Sequence, residues 1–180
     1  MTAQTDIPAL ASLEYFPYLN EAGQISEELQ KKIGVYAIFD GDRGLQAIAY
    51  SRDIYLGLKQ HLIRQPELCY WLKYYAIERP SRTILEEIQA AWIAENGDIP
   101  PGNDTQKSAW HDPIDAKVSM TEEEKELYAK SEDKEKIKLL KTIARRVEAE
   151  LKEKLQQTRN TEMEMRFNPK LKEKGLLDLK

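Results

Sequence analysis

The sequence predicts an α+β fold, a small antiparallel three-stranded sheet flanked by helices, followed by a C-terminal helical extension. Three observations predict it. Apolar, β-branched and aromatic runs at residues 35–39 and 45–50 are separated by Asp40-Gly41-Asp42-Arg43-Gly44, the pattern of a β-hairpin. Two later stretches carry apolar residues three and four apart, the period of one helix face. Beyond Thr121 the composition becomes that of a long helix, with no Gly or Pro between residues 132 and 157.

Taken in order, residues 1–32 form an N-terminal arm and a short helix. Tyr15, Phe16 and Tyr18 around Pro17 make an aromatic knot that packs on the domain as an irregular arm. Ser26 is placed as an N-cap with Glu27 and Glu28 in the first turn, and the helix runs to Lys32 before Gly34 stops it. The hairpin follows. Ser51 is the candidate cap of a helix over residues 53–63, in which Ile54, Leu58 and Leu62 share a face, and Pro66 ends it. Residues 70–77 read as a third strand, with Tyr70, Leu72 and Tyr74 on one face and Trp71, Lys73 and Tyr75 on the other. Ser81 opens a helix whose stripe is Ile84, Leu85, Ile88, Trp92 and Ile93, and Gly97 closes it.

The domain proper is residues 33–103. Residues 104–120 read as a linker with few apolar anchors beyond Trp110, Ile114 and Val118, and residues 121–180 as a helical extension and tail. The extension breaks at Ser131, and the long helix after it carries Ile137, Leu140, Ala144, Val147, Leu151 and Leu155 as a heptad seam about two and a half repeats long. Such a helix lies on a globular core, or joins two copies of the chain through residues 137–155. The tail, with Phe167 and Leu176-Leu177, docks rather than folds alone.

Charge narrows the function. Over 180 residues, 27 Lys+Arg stand against 31 Asp+Glu, a net of -4, which argues against a generic nucleic-acid coat. Residues 1–118 hold 11 basic and 17 acidic residues, so the basic balance lies in the C-terminal part. No apolar run approaches the roughly 20 residues of a membrane span, and neither membrane anchor nor secretory leader is expected. The single Cys69 allows no internal disulfide and no thiolate metal cage, which indicates a reducing, cytoplasmic setting.

The ordered set Gly34-Val35-Tyr36, Ala47-Ile48-Ala49, a helix with His61, a helix with Trp92-Ile93, and Pro100-Pro101-Gly102-Asn103 resembles the GIY-YIG nuclease domain. Gly34-Val35-Tyr36-Ala37, Ser51-Arg52-Asp53-Ile54, Pro66-Glu67-Leu68-Cys69 and the Pro-Pro-Gly-Asn turn are closest to the cyanobacterial type, which in plastids precedes a monothiol glutaredoxin. The residues that follow here are not those of a glutaredoxin. The resemblance implies metal-dependent hydrolysis of a DNA phosphodiester. Two tyrosines position or deprotonate the attacking water, an arginine stabilises the phosphate in the transition state, and a glutamate holds one divalent cation. An asparagine braces the site.

Carried over by position, the first tyrosine is Tyr36, the histidine is His61 and the asparagine is Asn103. The second tyrosine is replaced by Ala47, the arginine by Gly57 and the metal-binding glutamate by Gln89. A neutral amide is a poor ligand for a hard cation, and a lost electrostatic stabiliser costs roughly 3–4 kcal/mol in the transition state. The reading favoured is a catalytically degenerate module that binds a protein or a nucleic acid, with no cofactor required. The alternative is a nuclease using Mg²⁺ or Mn²⁺ with a rearranged site of Tyr36, Arg52, His61, Glu86 and Asn103, in which Glu86, one turn before Gln89, takes the metal. His61 alone is more often a half-buried surface residue than a general base, and His111 in the linker has less to recommend it. Cys69 reads as a buried, inert thiol. The aromatic residues of the third strand read as core before they read as a platform for bases, and the mixed charges around Arg145-Arg146 as a solvated face.

Overall fold

The structure is a computed structural model that describes residues 6–180. It is α+β, with an antiparallel sheet flanked by helices and a C-terminal helical region. The chain divides into two compact units, Met1–His111 and Asp112–Lys180. Among the described residues no helix is long and apolar enough to cross a membrane.

In the first unit the expected hairpin is β2 (Ile33–Phe39) and β3 (Leu45–Ser51), and the third expected strand is β4 (Trp71–Ile77). The sheet has four strands rather than three. The aromatic knot supplies β1 (Phe16–Pro17), and the order is β1-β4-β2-β3, antiparallel throughout. Two residues are too few to carry a period-two signal, which is why the knot reads as irregular. The turn between β2 and β3 closes on Asp40, whose carboxylate accepts from the N–H groups of Asp42 and Gly44 and from the Gln46 amide.

α1 (Ile54–Arg64) is capped by Asp53, which accepts from Leu56 N at 3.1 Å, and not by Ser51. The Ser51 hydroxyl instead bonds both the N–H and the C=O of Asp53, holding the cap in place. α2 (Arg82–Asn96) is capped by Ser81 and ended by Gly97 at φ 89°. The short helix expected up to Lys32 is only a 3-10 turn over Glu27–Leu29, with no side-chain cap. Gly34, expected to stop that helix, lies inside β2.

Alternation along β2 divides the core. Val35, Ala37 and Phe39 join Ile48 and the α2 residues Leu85, Ile88 and Trp92 in one buried cluster with Leu10. Each Val, Leu, Ile and Phe side chain of this cluster contributes about 1.5–3 kcal/mol by leaving water. Tyr36 turns to the other face, where α1 lies. The arm is tied down by polar contacts. Leu10 and Ala11 donate to the Glu95 carboxylate, the Trp92 indole donates to Pro8 O, and the buried Lys73 ammonium donates to Leu10 O at 3.0 Å. Burial lowers the pKa of Lys73, against the pull of Glu95. Trp71 and Tyr15 both carry the Arg43 guanidinium, at 4.6 and 4.5 Å from their ring centres.

The segment read as a linker is structured. It carries α3 (Lys107–His111) in the first unit, then β5 (Ile114–Asp115) and a 3-10 turn over Ala116–Ser119 in the second. The second unit continues with α4 (Glu122–Lys130), α5 (Asp133–Arg159), α6 (Pro169–Lys172) and β6 (Leu176–Leu177). The tail folds back so that β6 pairs with β5, Ile114 opposite Leu177. α5 packs inside this unit, against the 3-10 turn, α6 and β6. It buries Leu140, Ala144 and Leu155 of the seam together with Ile143, which a heptad reading passes over, and leaves Ile137 40% exposed.

α4 buries no residue of its own. It is held by a capping box of Thr121 and Glu124 and by Arg146, whose guanidinium donates to both Glu124 oxygens at 3.0 and 2.9 Å and to Ser119 O. The Arg146 hydrogen bonds, followed by the Thr121 N–H, hold the Glu124 carboxyl below its ordinary pKa. Bidentate pairs of this kind fix geometry as well as charge. Arg146→Ala should therefore speed amide exchange throughout α4 and leave Leu140 to Ala144 of α5 protected. Equal loosening of both helices would show that α4 is held some other way.

Candidate functional site

Tyr36, on the central strand, points at a place on α1 where there is no side chain. Gly57 is buried there, and a Cβ on it would lie 2.6 Å from the Tyr36 hydroxyl and 3.2 Å from its Cζ. That gap lets the phenol reach one turn further along α1, to His61 Nε2 at 2.9 Å. The other ring nitrogen, Nδ1, lies 2.9 Å from Trp110 O. A carbonyl oxygen only accepts, so Nδ1 carries the imidazole proton, Nε2 accepts, and the Tyr36 O–H donates.

This chain of hydrogen bonds is dry. Tyr36 is 2% and His61 3% exposed. Burial pushes the His61 pKa from 6.5 down to about 3, with His111 and then Arg64 adding to the effect and the Trp110 carbonyl opposing it. Burial also raises the Tyr36 pKa well above that of a free phenol, against the pull of Arg64. At neutral pH the pair is an uncharged imidazole accepting a hydrogen bond from an uncharged phenol.

α3 closes the site from outside the sheet. Trp110 is buried, its carbonyl accepts from Arg64 Nη1 as well as from His61, and Gln65 Nε2 donates to Ala109 O. His111 donates from Nε2 to Gly102 O at 3.1 Å, and its ring stands edge-on to His61, 5.4 Å between centres. The low weight given to His111 in the sequence is corrected here: it borders the site, and Trp110 and Arg64 belong to it as well. The signals were present but faint, an isolated tryptophan in a polar stretch and an arginine one turn after His61. His61 itself is buried, not half-buried. Cys69 is buried as expected, with its thiol toward His61 O.

The remaining positions picked out by the resemblance lie along the edge of β3. Asn103 accepts from Ile48 N at 2.8 Å and returns a bond to Ile48 O at 2.7 Å, while Gln89 Nε2 donates to the same oxygen at 2.8 Å. Ala47 is fully buried beneath Gly102, where a Cβ would lie 2.7 Å from the Ala47 methyl and 2.9 Å from Trp110 Cγ. A ring at position 47 would have to displace that loop. The Gln89 amide is neutral and turned to the strand, so the donor set at this position does not suit a hard divalent cation.

Arg52 and Glu86 lie elsewhere. Both are exposed; Glu86 accepts from Arg82 Nε at 2.7 Å and from the Tyr50 hydroxyl at 3.2 Å, and these two bonds lower its pKa. Arg52 lines a groove of about 390 Å³ with Tyr50, Ser81 and Arg82. The structure thus gathers Tyr36 and His61 in one buried place, sets Asn103 and Gln89 on the β3 edge, and leaves Arg52 and Glu86 on the surface.

No protein-family model matches the chain. Over 101 residues it is 33% identical to the bifunctional monothiol glutaredoxin-S16, chloroplastic, of Arabidopsis thaliana. The match covers 54% of this chain and 33% of that protein, so the chain spans about a third of the length of the curated relative it matches.

Two predictions follow from the packing of Tyr36, Gly57 and His61. Gly57→Ala should destabilise the fold by about 1–3 kcal/mol through overpacking, and by clearly less in a Tyr36→Phe background; additive losses in a double-mutant cycle by urea unfolding would contradict the contact. The second concerns pH. Because the folded-state pKa of His61 lies below 6.5, its contribution is complete above pH 6.5 and is lost as pH falls toward 3, at up to about 1.4 kcal/mol per pH unit. The urea midpoint of the wild type should fall more steeply through that window than that of His61→Gln.

Proposed function

We propose that the chain is a GIY-YIG-like module that no longer hydrolyses phosphodiesters and works by binding a protein or nucleic-acid partner in a reducing, cytoplasmic compartment. The observation that carries this reading is the Tyr36–His61 hydrogen bond. A phenol that is to position or deprotonate water must meet water, and this one donates into a buried, neutral imidazole instead.

The surroundings support the same reading. The family's arginine position is Gly57, which has no room beside Tyr36, and its metal position is an amide bonded to Ile48. Glu86, the substitute acid, is engaged by Arg82 and Tyr50 and lies away from Tyr36. The partial identity with the chloroplastic glutaredoxin-S16 is in keeping with the plastid branch of the resemblance. On this reading the domain retains its fold and its outer faces, and partners engage those faces together with the helical extension.

The test is cleavage of single-stranded, duplex and branched DNA and of RNA with Mg²⁺ or Mn²⁺, beside a Tyr36→Phe, Glu86→Gln double variant. Neither protein should cut. Cleavage by the wild type that disappears in the variant would overturn the reading. Salt then separates the partner classes: affinity for nucleic acid should fall steeply from low to physiological salt, and an apolar protein interface should hold.

A further inference from the structure

The two edges of the sheet are treated in opposite ways. On the β3 edge, the outward N–H and C=O of Ile48 are both taken by side chains, from Asn103 and Gln89. The β4 edge is different. Tyr18 N donates to Tyr70 O at 2.9 Å, and Phe16 stands opposite Leu72, so the even-numbered residues of β4 turn their backbone groups toward β1 and the odd-numbered ones toward β2. β2 pairs along the whole inner side of β4. β1 covers only Trp71 and Leu72.

The outward N–H and C=O of Tyr74 and of Ala76 therefore meet no strand among the described residues. Ala76 is exposed and Tyr74 half-buried. Proteins ordinarily blunt such an edge with a lysine, a proline or a bulge, and residues 74–77 are Tyr, Tyr, Ala and Ile. Beside them is a cavity of about 180 Å³ lined by Phe16, Pro17, Leu29, Leu72 and Tyr74, with Glu28 its one charged residue. The Phe16 ring is 41% exposed and 5.5 Å from that of Tyr74.

We propose that this edge is a docking site for an extended peptide of a partner protein, which adds a strand along Tyr74 and Ala76 and sets a large apolar side chain, next to a basic one, in the cavity beside Glu28. Strand addition takes its affinity from main-chain hydrogen bonds and its specificity from pockets for alternate side chains, and both parts are here. A second copy of the chain is a poor occupant. Its own β1 shortens the overlap, and the side chain that a second β4 brings beside Tyr74 is Ala76, too small for the cavity, or Glu78 just beyond the strand, which is charged. The site lies on the opposite edge from the β3 strand that carries Ala47, and it stands whether or not the chain hydrolyses phosphodiesters.

The test pans a random heptapeptide display library on the full chain and measures backbone amide exchange with the enriched peptide. Enriched peptides should carry a large apolar residue beside Lys or Arg, and should slow exchange at Tyr74 and Ala76 in the wild-type protein. Ala76→Pro removes an outward donor that β2 does not use and should weaken binding roughly tenfold. Failure to enrich any peptide, enriched peptides that leave those two amides unchanged, or equal binding by folded Ala76→Pro would overturn the proposal. So would a concentration-dependent dimer that Ala76→Pro dissolves, since the edge would then belong to a second copy.

Discussion

The hydrogen bond from the Tyr36 hydroxyl to His61 Nε2 is the constraint around which the first unit is arranged. It is formed in a dry interior, where an unpaired phenol or imidazole would carry a large desolvation cost. Each neighbour can be understood from that cost. Gly57 has no Cβ, so the phenol can lie against α1; the Trp110 carbonyl takes the remaining imidazole proton; His111 and Gly102 hold the segment that brings Trp110 into place. Losing either side chain of the Tyr36–His61 bond leaves the other's polar atom buried without that partner.

A second layer of the same logic runs along β3. Asn103 and Gln89 occupy positions that the resemblance assigns to a brace and a metal ligand, and in this chain both carboxamides complete the hydrogen bonding of Ile48. The closing loop must then approach the strand closely, which is consistent with Gly102 and Ala47 being small where they meet. A ring at 47 would run into Gly102, a side chain at 57 would meet the Tyr36 hydroxyl, and a carboxylate at 89 could not donate to Ile48 O.

How much of this could be read in advance depended on the length of each signal. The hairpin, α1 and α2 rest on runs of five residues or more, and those elements survive in the structure, as does the break at Ser131. β1, with two residues, β5 and β6, with two each, and the 3-10 turn at Glu27–Leu29 exist because of distant partners. No local pattern announces a strand whose partner lies 56 residues away, as Phe16 and Leu72 do. Tyr36 and His61 could be named from motif order, but their mutual bond could not, and Trp110 and His111 could be named but not placed beside them, because a short helix inside a polar segment has the composition of a linker.

His61 is a neutral, Nδ1-protonated imidazole that accepts a hydrogen bond from the Tyr36 hydroxyl in a buried site. The direct measurement is the nitrogen chemical shifts of the His61 ring as a function of pH, by NMR on the full chain. The expected result is one neutral tautomer, protonated at Nδ1, with no titration until the pH falls toward the His61 pKa of about 3. Titration near 6.5, or the opposite tautomer at neutral pH, would contradict it.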